Sequence, residues 1–339
     1  MKIELDLHGM RIDVDGDAGA VDEVRRDFAW FARGGATAAL RMTLHARRPP
    51  YDDLPAVDAA FSTPRNWCFR DGATSWLDYF GRGLTVHDRG AGTLALYSDD
   101  HDLLHEMAYL AILSLAGQDL DRRGLHRLHA LGVEYGGRAI LLLLPSGGGK
   151  STTALRLLER PGYRLLGEDT PLVDQRGDVH AFPLRLGVRP ESKPDVPPAF
   201  LRTMSRMEFD PKLLIDIAYF GDRIATRAPP ALLLVGRRNL GTGASMAPLG
   251  SIGAFRALTS NLVVGLGVYQ GLEFLLERDA WELAGKLGLV TSRARASLAL
   301  LRRADAFRFT MGRDIDRNID TLIAFVESRL GAPAPAASD

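Results

Sequence analysis

The stretch Ala139–Leu158, AILLLLPSGGGKSTTALRLL, constrains the fold more than any other part of the chain. The run Ala139–Leu144 is continuously apolar but too short to span a bilayer. It suits a strand covered on both faces. Ser146-Gly147-Gly148-Gly149 then predicts a sharp turn whose backbone N–H groups point inward. A helix opens on Lys150-Ser151-Thr152 and runs to about Arg160, where Pro161-Gly162 stops it. Its first N–H groups lack intrahelical partners and carry the positive end of the helix dipole. Strand, turn and helix together make a seat for a polyphosphate, the P-loop pattern. Ser146, Gly147, Gly148, Gly149, Lys150, Ser151 and Thr152 would line it. Lys150 acts in that pattern as a point charge on the β- and γ-phosphates, and the Ser151 hydroxyl ligates Mg²⁺. Leu144 departs from the pattern, which asks for glycine at its first position. A flexible strand–helix connection carrying a surface lysine is the plain alternative.

Elsewhere the composition mainly excludes. Lys plus Arg number 42 and Asp plus Glu number 42, so the net field gives no case for nucleic acid or an anionic membrane surface. The one cysteine, Cys68, cannot close an internal disulfide, which fits a reducing cytoplasm. The opening MKIELDLHGMRIDV alternates like a strand and lacks the apolar stretch of a secretion signal. No later segment is long enough to span a bilayer.

Upstream of the P-loop, the pattern predicts a small α+β domain over residues 1–117. Two short strands flank Gly9, a helix covers Val21–Ala32, and a strand covers Ala39–Ala46. Asn66–Ser98 reads as β-strands broken by Asp71-Gly72, Gly81–Gly83 and Asp88–Gly92. Asp99–Ala116 is a helix with an apolar stripe. His101 and His105 sit one turn apart on it, but no third metal ligand is evident, so they read as a solvated helix face. Gly117–Gly124 is a polar linker, and a second domain spans 125–330. The tail 331–339 reads as disordered.

In the second domain, His126–Tyr135 leads through Gly136-Gly137 into the P-loop strand as a hairpin. His129 lies near that turn, either touching phosphate or serving the structure. A second apolar strand, Tyr163–Leu166, ends at Gly167-Glu168-Asp169. A carboxylate at a strand end beside a P-loop can hold Mg²⁺ or take a proton from an attacking hydroxyl, and two acids can divide those tasks. Thr170–Phe182 reads as a hairpin. In Leu184–Arg189, alternation puts Leu184, Leu186 and Val188 on one face, with Arg185 and Arg189 on the other. The two guanidinium groups are either a phosphoryl clamp or surface arginines. The Pro190–Pro198 loop, with Lys193, suits a lid. A strand at Ala231–Val235 follows, then helices at Ser251–Asn261, Gly271–Leu287 and Ser292–Arg303, a strand at Ala306–Thr310 and a last helix to Leu330.

In order, His129–Asp169 resembles the kinase domain of HPr kinase/phosphorylase and its HPr-kinase-like relatives. A His-x-x-Gly turn (His129, Gly132) precedes the core strand. Then come the Ser-Gly-x-Gly-Lys-Ser loop, the helix, and a Gly-aromatic-Arg-Leu strand (Gly162–Leu165) ending in two acids. FPLRLGVRP and FRFTMG also look like this branch, which includes lasso-peptide precursor kinases. The resemblance implies an α/β fold: a P-loop kinase domain whose mixed sheet is akin to those of HPr kinase and phosphoenolpyruvate carboxykinase. It implies transfer of the γ-phosphoryl of ATP, with Mg²⁺, to a serine of a peptide or small protein. Lys150, Glu168, Asp169, Arg185 and Arg189 would be catalytic, with Ser151 and Asp169 on the metal. The family's acid pair is Asp-Asp, so Glu168 leaves open which acid is the base. A small-molecule hydroxyl kinase, a non-catalytic ATP-binding scaffold and a carboxykinase-like lyase are the other readings. The acceptor is expected to dock on the N-terminal domain or the Pro190–Pro198 loop, and a homo-oligomer is compatible with the sequence.

Overall fold

The structure, a computed structural model, describes residues 1–35, 37–144, 148–192, 194–204, 211–263 and 280–331. Ser146, Gly147, Lys193, the first part of the expected Gly271–Leu287 helix and nearly all of the tail lie outside the described residues. The chain is a mixed α/β protein of two compact units. Met1–Leu120 and Gly187–Tyr219 belong to the first, and Asp121–Leu186 with Phe220–Tyr269 and Asp279–Asp339 to the second.

In the first unit, alternating apolar residues build an eight-stranded mixed sheet. The opening hairpin pairs Lys2–Leu7 with Met10–Gly16 antiparallel, placing Leu5, Leu7, Ile12 and Val14 inward. Leu40–His45 joins Met10–Gly16 in parallel, which requires a crossover; the helix Ala18–Asp27 lies in that connection. Thr93–Tyr97 adds in parallel, and a meander back through Leu84–Asp88, Thr74–Asp78 and Trp67–Asp71 ends at Ala59–Ser62. Leu201–Met204 and Lys212–Ile215, from the returning segment, form an antiparallel pair.

The helix expected over Asp99–Ala116 runs instead from His101 to Arg122, straight through the expected linker. Its apolar positions continue past Gly117, with Ala116 and Leu120 fully buried, so packing holds the helix where local composition suggested a break. His105 also corrects the sequence reading. It is buried at 3% exposure and bonded to Asp27, while His101 alone faces solvent. Likewise, Ala280–Leu301 is one continuous helix across Gly288, not two.

Among the described residues of the second unit, six strands form a mixed sheet. Its order is Tyr163–Gly167, Leu131–Tyr135, Arg138–Leu143, Pro230–Arg238, Asp305–Met311, Ser245–Pro248. Arg138–Leu143 is central, parallel to Pro230–Arg238, and Ile140 to Leu144 are all buried. Each such side chain contributes about 1.5–3 kcal/mol of burial. Leu131–Tyr135 is antiparallel to both Arg138–Leu143 and Tyr163–Gly167. Two inversions cancel, so Tyr163–Gly167 runs in the same direction as the central strand. Asp305–Met311 is parallel to Pro230–Arg238 as well, so the C-terminal ends of four strands emerge on one sheet edge, and the start of Leu131–Tyr135 meets them there. No described helix is long and apolar enough to cross a membrane.

Candidate functional site

That sheet edge gathers most of the residues singled out in the sequence. The central strand ends at Leu143, and the helix Lys150–Leu158 follows it in the chain. Gly149 caps it with φ at 95°, a left-handed conformation that favours glycine. Thr153 N–H donates to the Gly149 carbonyl at 2.9 Å, which ties the start of the helix to its cap. The glycine missing from the pattern's first position is compensated across the sheet. Leu144 is buried, and a Cβ on Gly236 would lie 2.0 Å from Leu144 Cδ2. A glycine on the neighbouring strand thus makes the room that the leucine occupies. From the same strand, Arg238 Nη2 donates to the Gly148 carbonyl at 3.1 Å and holds the exit of the turn.

Lys150 is buried at 7% exposure, and its ammonium folds back onto the site. It donates to His129 Nε2 at 2.7 Å and to the Leu144 carbonyl at 3.2 Å, and pairs with Asp169 Oδ1 at 3.2 Å. His129 Nε2 lies 3.4 Å from the same carboxylate oxygen. The Ser151 hydroxyl donates to Glu168 Oε1 at 2.7 Å. The two acids are therefore divided: Glu168, half-buried, sits with Ser151, and Asp169, with its side chain 52% exposed, sits with Lys150 and His129. Of the two acids that could join Ser151 on a metal, Glu168 is the one in contact with its hydroxyl. A hydroxyl and a carboxylate oxygen in contact are the donor types that Mg²⁺ takes, so the pair fits that ion.

His129 owes its place to the strand that begins at Leu131, and its backbone N–H is fixed by the Asn261 carbonyl at 3.2 Å. Burial first, and then the Lys150 charge, push the imidazole below its ordinary value near 6.5, while Asp169 pulls the other way. His129 is accordingly neutral in the folded chain and accepts from the lysine. The unfolded chain binds the extra proton, so stability is complete above the ordinary value and falls as pH drops through it. Acidification from about pH 7.5 to about pH 5 should lower the thermal midpoint of the wild type more than that of His129→Gln. Equal slopes in the two proteins would show that His129 carries no such linkage.

Thr152 is half-buried beside Ser151. The alternation expected around Arg185 is present: Leu184, Leu186 and Val188 are buried, Arg185 is half-buried and Arg189 is exposed. Arg185 belongs to the second unit and Arg189 to the first. Arg238 is a site residue that the sequence reading did not single out. Its signal was positional, a basic residue at the end of a strand parallel to the P-loop strand.

No protein-family model matches the chain, and no curated protein matches it.

Proposed function

We propose that the second unit is an ATP-dependent kinase of the HPr-kinase-like type, transferring the γ-phosphoryl to a serine hydroxyl of a peptide or small protein. The observation that carries this reading is the division of labour at one sheet edge. Ser151 meets Glu168, and Lys150 meets the more exposed Asp169 beside them. Lys150 leaves Asp169 and His129 to meet the phosphates, and its positive charge then offsets the charge building on the transferred group. Ser151 and Glu168 would hold Mg²⁺, which would neutralise phosphate charge. Asp169, released from the lysine, accepts the proton of the serine hydroxyl as the serine oxygen bonds to phosphorus and ADP departs. Arg185, which belongs to the same unit, is proposed to bind phosphoryl oxygens.

The test uses γ-labelled ATP, Mg²⁺ and a fractionated lysate of the source organism, with Glu168→Gln and Asp169→Asn run in parallel. Phosphoserine in one peptide or small protein, lost in either variant, supports the reading. Label in a small-molecule fraction redirects it to another hydroxyl. ATP bound without transfer to any fraction favours a nucleotide-binding scaffold.

A further inference from the structure

A second constellation in the second unit has the donors and acceptors of a nucleophile–base–acid relay. Asp121, near the end of the long helix, places Oδ1 2.8 Å from His126 Nδ1. His126 Nε2 lies 2.9 Å from Ser292 Oγ. The Gln175 side-chain amide donates to Ser292 Oγ at 2.9 Å and to the Ser292 carbonyl at 3.1 Å, and lies 3.0 Å from His126 Nε2. Arg293 Nη2 pairs with Asp121 Oδ2 at 2.7 Å. The directions are mutually consistent. Asp121 accepts from Nδ1–H, which fixes the tautomer with a free Nε2 lone pair. With Nε2 unprotonated, the Ser292 hydroxyl donates to it while accepting from the Gln175 amide.

A helix serine commonly donates back to the carbonyl four residues before it. Ser297, on the same helix, does so to the Arg293 carbonyl at 3.0 Å. Ser292 is turned instead to His126. His126 is fully buried, Ser292 is half-buried and Gln175 is exposed, so the relay opens to solvent on the glutamine side. Burial alone would raise Asp121, but His126 and Arg293 override it and hold the carboxyl below the usual range. The acid is thus a fixed negative charge behind the imidazole.

We infer that Ser292 is an activated nucleophile and that this site hydrolyses small acyl esters, independently of the nucleotide site. Ser292 Oγ bonds to the carbonyl carbon while its proton passes to His126 Nε2. The ester C–O bond breaks, and the leaving alkoxide takes that proton. Water then attacks the acyl-serine, releasing the carboxylic acid and restoring the hydroxyl. Gln175 is the amide within reach of the oxyanion. Asp121 and Arg293 are positioning residues that act through His126.

The test needs no nucleotide. The native full chain is treated with a fluorophosphonate probe, the adduct is mapped by peptide mass spectrometry, and p-nitrophenyl acetate hydrolysis is followed. The expected adduct is on Ser292, absent from the urea-unfolded chain. Hydrolysis of p-nitrophenyl acetate should be lost in step with labelling of Ser292. Asp121→Asn, which disturbs the tautomer, should slow labelling about 10²–10⁴-fold while circular dichroism stays native. A folded protein with no adduct on Ser292, or labelling that is equally fast in Asp121→Asn or in the unfolded chain, overturns the inference.

Discussion

The Lys150→Ala protein is expected to lose phosphoryl transfer by about 10³-fold, the scale set by removing one preorganised charge donor from a reacting oxyanion. That loss corresponds to about 4 kcal/mol of transition-state stabilisation. The fold should survive it. His129 is neutral, Asp169 is half in solvent and the Leu144 carbonyl is the remaining partner, so no buried charge is stranded. Lys150→Arg should not restore activity. The ammonium fits between an imidazole nitrogen at 2.7 Å and two oxygens at 3.2 Å, a space without room for a planar fork. Radiolabel transfer, read beside a circular dichroism spectrum, checks both points. Transfer within tenfold of wild type in Lys150→Ala would remove the lysine from the mechanism.

The second large effect concerns stability of the first unit. Arg202 reaches three carboxylates at once: Asp27 Oδ1 at 2.6 Å, Asp216 Oδ1 at 2.7 Å, and Glu23. Asp27 is fully buried, Asp216 is 4% exposed and Arg202 itself 9%. Arg26 shares Asp216 at 2.7 Å, and His105 shares Asp27 at 2.7 Å. Burial by itself would make the guanidinium easier to deprotonate, but Asp27, then Glu23 and Asp216, hold its pKa above the ordinary range. Arg202→Met leaves three acids facing one another with one arginine and one histidine. The expected cost is about 3–5 kcal/mol, the penalty for breaking a buried ion pair from one side. Three of the four tryptophans, Trp30, Trp67 and Trp76, lie in this unit and Trp281 in the other, so tryptophan fluorescence in a urea titration of a Trp281→Phe background reports on it. A shift below about 1 kcal/mol would mean that the cluster is as weak as a surface pair.

This cluster also shows where sequence reading stops. Asp27 and Arg202 are far apart in the chain and belong to segments that local patterns assign to different domains. Only the return of Gly187–Tyr219 to the first unit brings them together. His105 carried the same ambiguity, because a histidine one turn from another looks solvated until Asp27 is placed against it. The helix through Gly117 was hidden for a related reason. Glycine and a run of charges signal a break locally, whereas buried Ala116 and Leu120 are tertiary facts.

What local chemistry dictates was legible. The apolar run Ala139–Leu144, the glycines after it and the helix on Lys150 appear as strand, turn and helix wherever the residues are described. The strand ending in Glu168-Asp169 is also present, and the double inversion across Leu131–Tyr135 explains why its end lies beside the turn. Which acid meets Ser151 depends on side-chain reach. The additional carbon of Glu168 takes its carboxylate to the serine hydroxyl, and Asp169 falls to the lysine. The accommodation of Leu144 by Gly236 depends on a strand pairing about ninety residues distant, which no local pattern reports.

The most direct measurement is calorimetric titration of ATP with Mg²⁺ into the wild-type protein and into Lys150→Ala. The kinase reading predicts one ATP bound per chain, weaker binding when Mg²⁺ is chelated, and weaker binding again in the variant. No binding at millimolar ATP, or the same affinity in both proteins, would contradict it.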